Sequence, residues 1–205
     1  MNFKDVDSQI KATIEHYNNR AQPFWERTKD HDVRQNYEAL LSHCVQNQKL
    51  SILDLGCGPG RDLKYFSELG HHAVGVDASA EFCKMAREYS SCEVWQQNFL
   101  ELDLPDEYFH GIFANASLFH VPQKSYAKVL SELHSSLKKD GILFQSNPRG
   151  SIETFDGSRY GNYMEFIDFE KHLAGAGFRV LKHYYRPKGK PRIEQPWLAI
   201  VALKI

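Results

Sequence analysis

Residues 50–62, Leu50-Ser51-Ile52-Leu53-Asp54-Leu55-Gly56-Cys57-Gly58-Pro59-Gly60-Arg61-Asp62, form the stretch whose reading decides the fold. A short run of Ile and Leu ends in glycines at alternate positions. It then passes into Leu63, Phe66 and Leu69 at helical spacing, which reads as strand, tight loop and helix. Glycine suits such a loop because it takes φ > 0 without strain and, lacking a Cβ, lets backbone N–H groups approach a ligand. A dinucleotide loop would read G-x-G-x-x-G, but counted from Gly56 the third glycine's place holds Arg61. No Gly-Lys-Ser/Thr follows, so a triphosphate-binding loop is excluded more firmly.

The stretch resembles motif I of the class I S-adenosylmethionine-dependent methyltransferases, [VIL]-L-D-x-G-x-G-x-G with an acidic residue ending the next strand. Asp54, Gly56, Gly58 and Gly60 match, and His72-Ala73-Val74-Gly75-Val76-Asp77 is a second strand that ends in Asp77. The resemblance covers residues 50–204 well and the leader before them loosely. It implies an α/β fold, a doubly wound Rossmann-like sheet of seven strands in the order 3-2-1-4-5-7-6, strand seven antiparallel, with helices on both faces. It also implies S-adenosylmethionine as cofactor, bound by Tyr17, Asp54, Gly56, Cys57, Gly58, Gly60, Arg61, Asp77, Ala78, Asn98, Phe99 and Asn115. Asp77 can accept both hydroxyls of a ribose, or it can cap the helix from about Ser79, which is itself an equally good cap. Asn98 stands where the family often has an Asp that takes the adenine amino group, and its side-chain oxygen can accept the same bond. Phe99 packs either on the adenine or on the core.

Along the chain, Val6, Ile10, Ile14 and Tyr17 mark an amphipathic helix leading to a segment that Pro23 interrupts. A second helix is expected over 32–47. In many small enzymes of the family a similar leader lies over the cofactor, so Tyr17, Phe24 and Trp25 read either as a lid or as packing against the sheet. Cys92–Gln97 alternates as a third strand, and His110–Asn115 is the fourth. The family usually opens that strand with Asp, where this chain has His110. A helix through Tyr126, Val129, Leu130, Leu133 and Leu137 is expected to stop at Asp140-Gly141, before strand 142–146. Residues 147–163 are polar and glycine-rich and read as a functional loop. Helix 165–176, strand 178–185 and strand 197–204 close the alternation, which predicts a ligand site outside the carboxyl ends of the strands.

Length suits one domain, with 1–48 as leader or lid and 49–205 as core. Lys and Arg total 25 against 26 for Asp and Glu, so there is no basic excess with which to hold nucleic acid. The polar start, residues 1–7, has no signal-peptide apolar core, and no run approaches a membrane span. The expectation is a soluble, cytoplasmic protein, monomer or homodimer, with no membrane partner. Cys44, Cys57, Cys83 and Cys92 form no C-x-x-C pair, and no zinc spacing occurs, so reduced thiols and no metal are expected.

The methyl of such a cofactor is already activated, and a base is needed only for a protonated acceptor. Topology places His120, Arg159, Tyr160, Tyr163 and the 184–195 hairpin on the cofactor side. His120 reads as a general base, or as a histidine packing a helix start. Tyr160 and Arg159 complete the catalytic set through a likeness of Arg159-Tyr160-Gly161-Asn162-Tyr163 to an Arg-Tyr-x-x-Tyr segment of several small-molecule methyltransferases. Phe119, Phe155 and Trp25 read as apolar lining or as core. Asn115-Ala116-Ser117 lacks the Asn/Asp-Pro-Pro-aromatic pattern of enzymes that methylate nucleobase or glutamine amides, which disfavours that acceptor class. The expected reaction is methylation of oxygen or nitrogen of a small molecule, an anionic one if Arg186, Lys188, Lys190 and Arg192 face it. Alternatives are a thiol or metalloid acceptor, a non-catalytic adenosyl-ligand binder, and an NAD oxidoreductase that Arg61 disfavours.

Overall fold

A computed structural model describes residues 6–205; residues 1–5, on which the reading of a polar start rests, lie outside the described residues. The helices are α1 (Val6–Asn19), α2 (Ala21–Thr28), α3 (Arg34–Leu41), α4 (Arg61–Glu68), α5 (Ala80–Ser90), α6 (Gln123–Ser136) and α7 (Phe166–Gly175). The strands are β1 (Ser51–Leu55), β2 (His72–Asp77), β3 (Glu93–Gln96), β4 (Phe109–Asn115), β5 (Leu137–Pro148), β6 (Ile152–Phe155), β7 (Tyr160–Tyr163), β8 (Phe178–Arg186) and β9 (Trp197–Lys204). Seven of them form one sheet in the order β3-β2-β1-β4-β5-β9-β8. β9 runs antiparallel to both β5 and β8, so β8 and β9 are the sixth and seventh strands of the expected order.

The central strands read as unbroken apolar runs because both faces are covered. On β1, Leu53 and Leu55 face a core that includes Tyr126, Leu130 and Leu133 of α6 and Phe169 and Leu173 of α7. Ile52, one position out of phase, joins Tyr37 and Leu40 of α3, Leu63 and Phe66 of α4 and Cys83 and Ala86 of α5 on the opposite face. The helices therefore divide between the two faces, and the carboxyl ends of β1, β2, β4 and β5 are left to form a crevice. Among the described residues no helix is long and apolar enough to cross a membrane.

Several elements differ from their expected form. α6 ends at Ser136 rather than at Asp140-Gly141, because Leu137 already pairs with Phe109 in the sheet. Asp140, not Gly141, takes the left-handed turn, at φ 60°. Gly141 is required by space, since a Cβ there would lie 2.8 Å from the Lys138 carbonyl. The expected loop 147–163 holds a hairpin, β6–β7, which pairs only with itself. Pro23 lies in the first turn of α2, where its missing N–H costs little, and the break falls one turn earlier, at Arg20. His110 accepts the Ser51 N–H at its Nδ1, 2.9 Å away, and so supplies an acceptor where the family's Asp would stand.

Candidate active site

A cavity of about 960 Å³ opens at the carboxyl ends of the strands. One wall, residues 56–59, is built largely by backbone. Gly56 and Gly58 turn at φ 77° and 52°, conformations that glycine adopts without strain. A Cβ on Gly56 would lie 2.3 Å from Cβ of Ser117, whose hydroxyl is fixed on the Leu55 carbonyl at 2.6 Å. At Gly58 the space is open, with the Phe24 ring 3.8 Å from where a Cβ would be.

Asp77, at the end of β2, clasps the loop. Its Oδ2 accepts the Gly58 N–H at 3.0 Å and its Oδ1 the Ser79 N–H at 2.9 Å. Ser79, not Asp77, caps α5 by accepting the Phe82 N–H. Each Asp77 oxygen keeps a lone pair for a ligand. Burial pushes the Asp77 carboxyl up to about 6, opposed by these backbone bonds. Asn98 and Phe99 line the same wall, although Asn98 Oδ1 already accepts the Leu100 N–H at 3.1 Å.

Of the expected cofactor residues, Tyr17, Gly56, Cys57, Gly58, Arg61, Asp77, Ala78, Asn98, Phe99 and Asn115 line the cavity, whereas Asp54 and Gly60 stand behind its wall. Asp54 is 2% exposed, and its Oδ2 has no hydrogen-bond partner. Burial, reinforced by the Asp62 and Asp77 carboxylates, holds its pKa well above the usual carboxylate range. Gly60 serves packing, since a Cβ would lie 2.8 Å from Cα of Ala86 in α5.

A buried polar chain supports the loop from below. Asp62 accepts from Tyr37 Oη at 2.6 Å, from Arg61 Nε at 2.6 Å and from Asn115 Nδ2 at 3.2 Å. Asn36 Nδ2 donates to Asn115 Oδ1 at 2.9 Å, and Tyr184 Oη donates to Asn36 Oδ1 at 2.9 Å. Sequence reasoning missed Asp62, Asn36 and Tyr37. An acid in the first turn of a helix has an ordinary dipole explanation, which hides its burial.

α1 and α2 roof the cavity. Tyr17 lies against Phe24 and Phe82 with ring centroids 5.8 and 5.6 Å away. Asn18 Oδ1 accepts the Ser79 hydroxyl at 2.7 Å, and Thr13 Oγ1 accepts the Tyr160 N–H at 2.8 Å. Phe24 and Trp25 also line the cavity, Phe24 packed on Phe82 and Trp25 on Tyr89.

His120 ends the turn Leu118–His120 with both ring nitrogens engaged. Nδ1 lies 2.6 Å from the Tyr160 carbonyl, which can only accept, so Nδ1 carries the proton. Nε2 therefore accepts from the Tyr17 hydroxyl, 2.8 Å away. Burial pulls His120 down from 6.5 to about 4, and its imidazole is neutral at pH 7. A neutral ring whose one acceptor nitrogen is occupied is an anchor for Tyr17 and a poor free base.

Tyr160, expected to be catalytic, turns its hydroxyl to Glu153 and is absent from the cavity wall. Its carbonyl, by contrast, sets the His120 tautomer. Arg159 does line the cavity and bonds to Asp156 at 3.4 Å. Phe119 and Tyr163 line it too, stacked at 6.0 Å, while Phe155 does not.

The expected four-cation cluster divides. Arg186, Pro187 and Lys188 are in the wall; Lys190 and Arg192 are not. Arg192 lies on the Tyr185 ring and 3.6 Å from Glu165, and Lys190 lies 3.9 Å from Glu194. Among the described residues no group of His, Cys, Asp and Glu side chains could hold a metal ion.

A family profile described as "Methyltransferase domain" matches residues 52–141. A trans-aconitate 2-methyltransferase of Azoarcus sp. (strain BH72) is 35% identical over 116 residues, covering 56% of this chain and 45% of that protein. A malonyl-[acyl-carrier protein] O-methyltransferase of Erwinia billingiae is 29% identical over 117 residues, 56% of this chain and 46% of that one. The matched stretch thus spans about half the length of these curated relatives. A crystal structure of Burkholderia thailandensis 1,6-didemethyltoxoflavin-N1-methyltransferase, with bound 1,6-didemethyltoxoflavin and S-adenosylhomocysteine, superposes with a TM-score of 0.82. At 21% identity the superposition covers 100% of this chain and 92% of that one, and it shows a shared fold.

Proposed function

We propose, on the premise that this chain carries a methyltransferase domain of the class I fold, that it is an S-adenosylmethionine-dependent methyltransferase acting on oxygen or nitrogen of a small molecule. The observation that carries this reading is the Gly56–Gly58 loop, clasped by the Asp77 carboxylate in the wall of a cavity of about 960 Å³. That volume suits a nucleoside-sized cofactor with a small acceptor beside it.

The residues fit such a cofactor. The open space at Gly58 leaves room against the backbone, and the spare lone pairs of Asp77 suit two ribose hydroxyls. Asn98 and Phe99 would hold the adenine, and the glycine backbone with Arg61 and Asn115 the amino-acid part. When bound, S-adenosylmethionine supplies a methyl group already activated on a sulfonium. The chain's own task is to orient the acceptor and to exclude water, a role for which the roof of Tyr17, Phe24 and Trp25 is placed. His120 holds Tyr17 in that roof.

Titration calorimetry with S-adenosylmethionine, S-adenosylhomocysteine and NAD tests the cofactor: the first two should bind and the third should not. A homocysteine-release assay after incubation with acceptor mixtures separates an enzyme from a mere adenosyl-ligand binder. Failure of both adenosyl compounds to bind removes the reading.

A further inference from the structure

The acceptor end of the cavity carries an unbalanced positive charge. Each acidic side chain in the wall is already committed: Asp32 pairs with Arg34 at 2.8 Å, Asp62 with Arg61 at 2.6 Å, and Asp77 holds the glycine loop. Among the wall's arginines, Arg159 has Asp156 at 3.4 Å. Arg186 and Lys188 have no carboxylate within ion-pair distance among the described residues. Arg186 is only half satisfied. One terminal nitrogen donates to Ser146 Oγ at 3.1 Å, while its Nε is buried with no partner. A buried donor left unmade costs about 1–3 kcal/mol, so such groups normally have an acceptor. Arg186 lines the cavity and has no carboxylate partner among the described residues, so its charge is left for an anion bound there.

Two further observations narrow the chemistry. The wall beside Arg186 includes Pro148 and Trp197, with the Trp197 ring 5.9 Å from the guanidinium carbon, so the cation is set in apolar surroundings. His120 of the wall is not a free base, since both its ring nitrogens are engaged and burial pulls its pKa down to about 4. An acceptor that needs no deprotonation suits this wall. An alcohol is a weak nucleophile until it loses its proton and a protonated amine has no free lone pair, whereas a carboxylate is ionised at neutral pH, with a pKa of about 4.

We infer that the acceptor is a small carboxylic acid, bound as its anion by Arg186 and Lys188 and methylated on a carboxylate oxygen, an assignment that rests on the proposed methyl transfer. The carboxylate oxygen forms the new O–CH3 bond with its own electron pair, and the electrons of the broken S–CH3 bond stay on sulfur. The negative charge of the acid and the positive charge of the sulfonium cancel, so no proton moves and no base is required. The product is a methyl ester with S-adenosylhomocysteine. Arg186 grips with a planar fork suited to a carboxylate, and Lys188 adds longer-range attraction that salt screens.

The test begins with calorimetry of succinate, malonate and benzoate into protein saturated with S-adenosylhomocysteine, alongside their neutral amides, propylamine, a thiol and a phosphate monoester. At least one carboxylate should bind, and its amide should not. Arg186→Gln should weaken that binding at least tenfold, with partial recovery in Arg186→Lys. Lys188→Gln should weaken it severalfold and flatten its salt dependence, and because Lys188 is exposed this variant keeps the test valid if Arg186→Gln fails to fold. With S-adenosylmethionine present, the acid should gain one methyl that mild alkali releases as methanol. If S-adenosylhomocysteine itself does not bind, the methyltransferase reading fails. If it binds but no carboxylate in the panel binds, or an amine, thiol or phosphate is methylated instead, or both variants bind the carboxylate as the wild type does, the carboxylate assignment is overturned while methyl transfer stands.

Discussion

The two ends of the cavity are built by opposite means. The cofactor end is made by one contiguous turn, residues 56–60, whose backbone is the surface and whose shape is fixed by Ser117, Asp77 and Ala86 pressing against it. The rest of the wall includes side chains, Tyr17, His120, Arg159 and Arg186, delivered from α1, from the turn after β4, from between β6 and β7 and from the end of β8. A backbone surface admits no side chain where a Cβ would meet a neighbour, as at Gly56 and Gly60. A surface of side chains can be re-specified one residue at a time, so a fold of this kind can keep one cofactor while its acceptor varies.

Substitutions can break or sharpen that contrast. Gly56→Val should have the largest effect, because its Cβ would meet Ser117 at 2.3 Å in a backbone that also has φ 77°. Binding of S-adenosylhomocysteine should fall by more than about 1000-fold, with thermal stability lowered by about 3 kcal/mol or more. Gly58→Ala has space and should lose only about 1–2 kcal/mol of stability from its left-handed backbone. Equal effects of the two would mean that the loop is not held as tightly as these contacts require.

Asp77→Ala should weaken cofactor binding by about 10–1000-fold while the fold survives, as one or two bonds to a charged acceptor are lost. Because burial raises the Asp77 pKa to about 6, the ionised form that accepts ribose hydroxyls predominates above that pH and the protonated form below it. Wild-type affinity should therefore hold above pH 6 and decline below it, and the mutant should show no such decline.

Tyr17→Phe and His120→Gln probe the side-chain end. Each should lower kcat by less than about tenfold, since neither group is free to take a proton, whereas a general base would cost about 10²–10⁴-fold. The folded His120 titrates near 4 and the unfolded one near 6.5, so the unfolded chain binds the extra proton between these values. His120 thus contributes stability above pH 6.5 that is lost as pH falls toward 4, and His120→Gln should reduce that acid sensitivity in thermal melts. The smallest effects should come from Lys190→Gln and Arg192→Gln. Their charges are exposed and turned to Glu194 and Glu165, so acceptor KM should stay within about twofold and stability within about 0.5–1 kcal/mol.

The same contrast explains what the sequence made legible. The central strands were legible from apolar runs such as Ile52-Leu53 and Ala73–Val76, because burial on both faces leaves a continuous signature, while their order came from the resemblance carried by the glycine motif. The glycine turn was legible for a related reason: a backbone site is written in consecutive residues. The pairs that shape the side-chain end leave no such trace, since Tyr17 meets His120 across 103 positions and Thr13 meets Tyr160 across 147. Reading Tyr160 by its side chain missed that its carbonyl is the part facing His120. The β6–β7 hairpin was hidden because its strands pair only with each other, so no apolar alternation was imposed on 152–163. A count of cations in 186–192 could not separate Arg186, which faces inward, from Arg192, which is spent on Glu165.

The roof of α1 and α2 has a kinetic corollary. Tyr17 on His120, Asn18 on Ser79 and Phe24 over Gly58 are contacts that would have to part if the roof moves during binding and release. If the roof covers bound ligand, each such contact should lengthen the residence of spent product. Changes that tighten the roof should therefore raise the melting temperature and slow turnover together, a trade-off that solvent viscosity and stopped-flow release measurements can resolve from the speed of bond making.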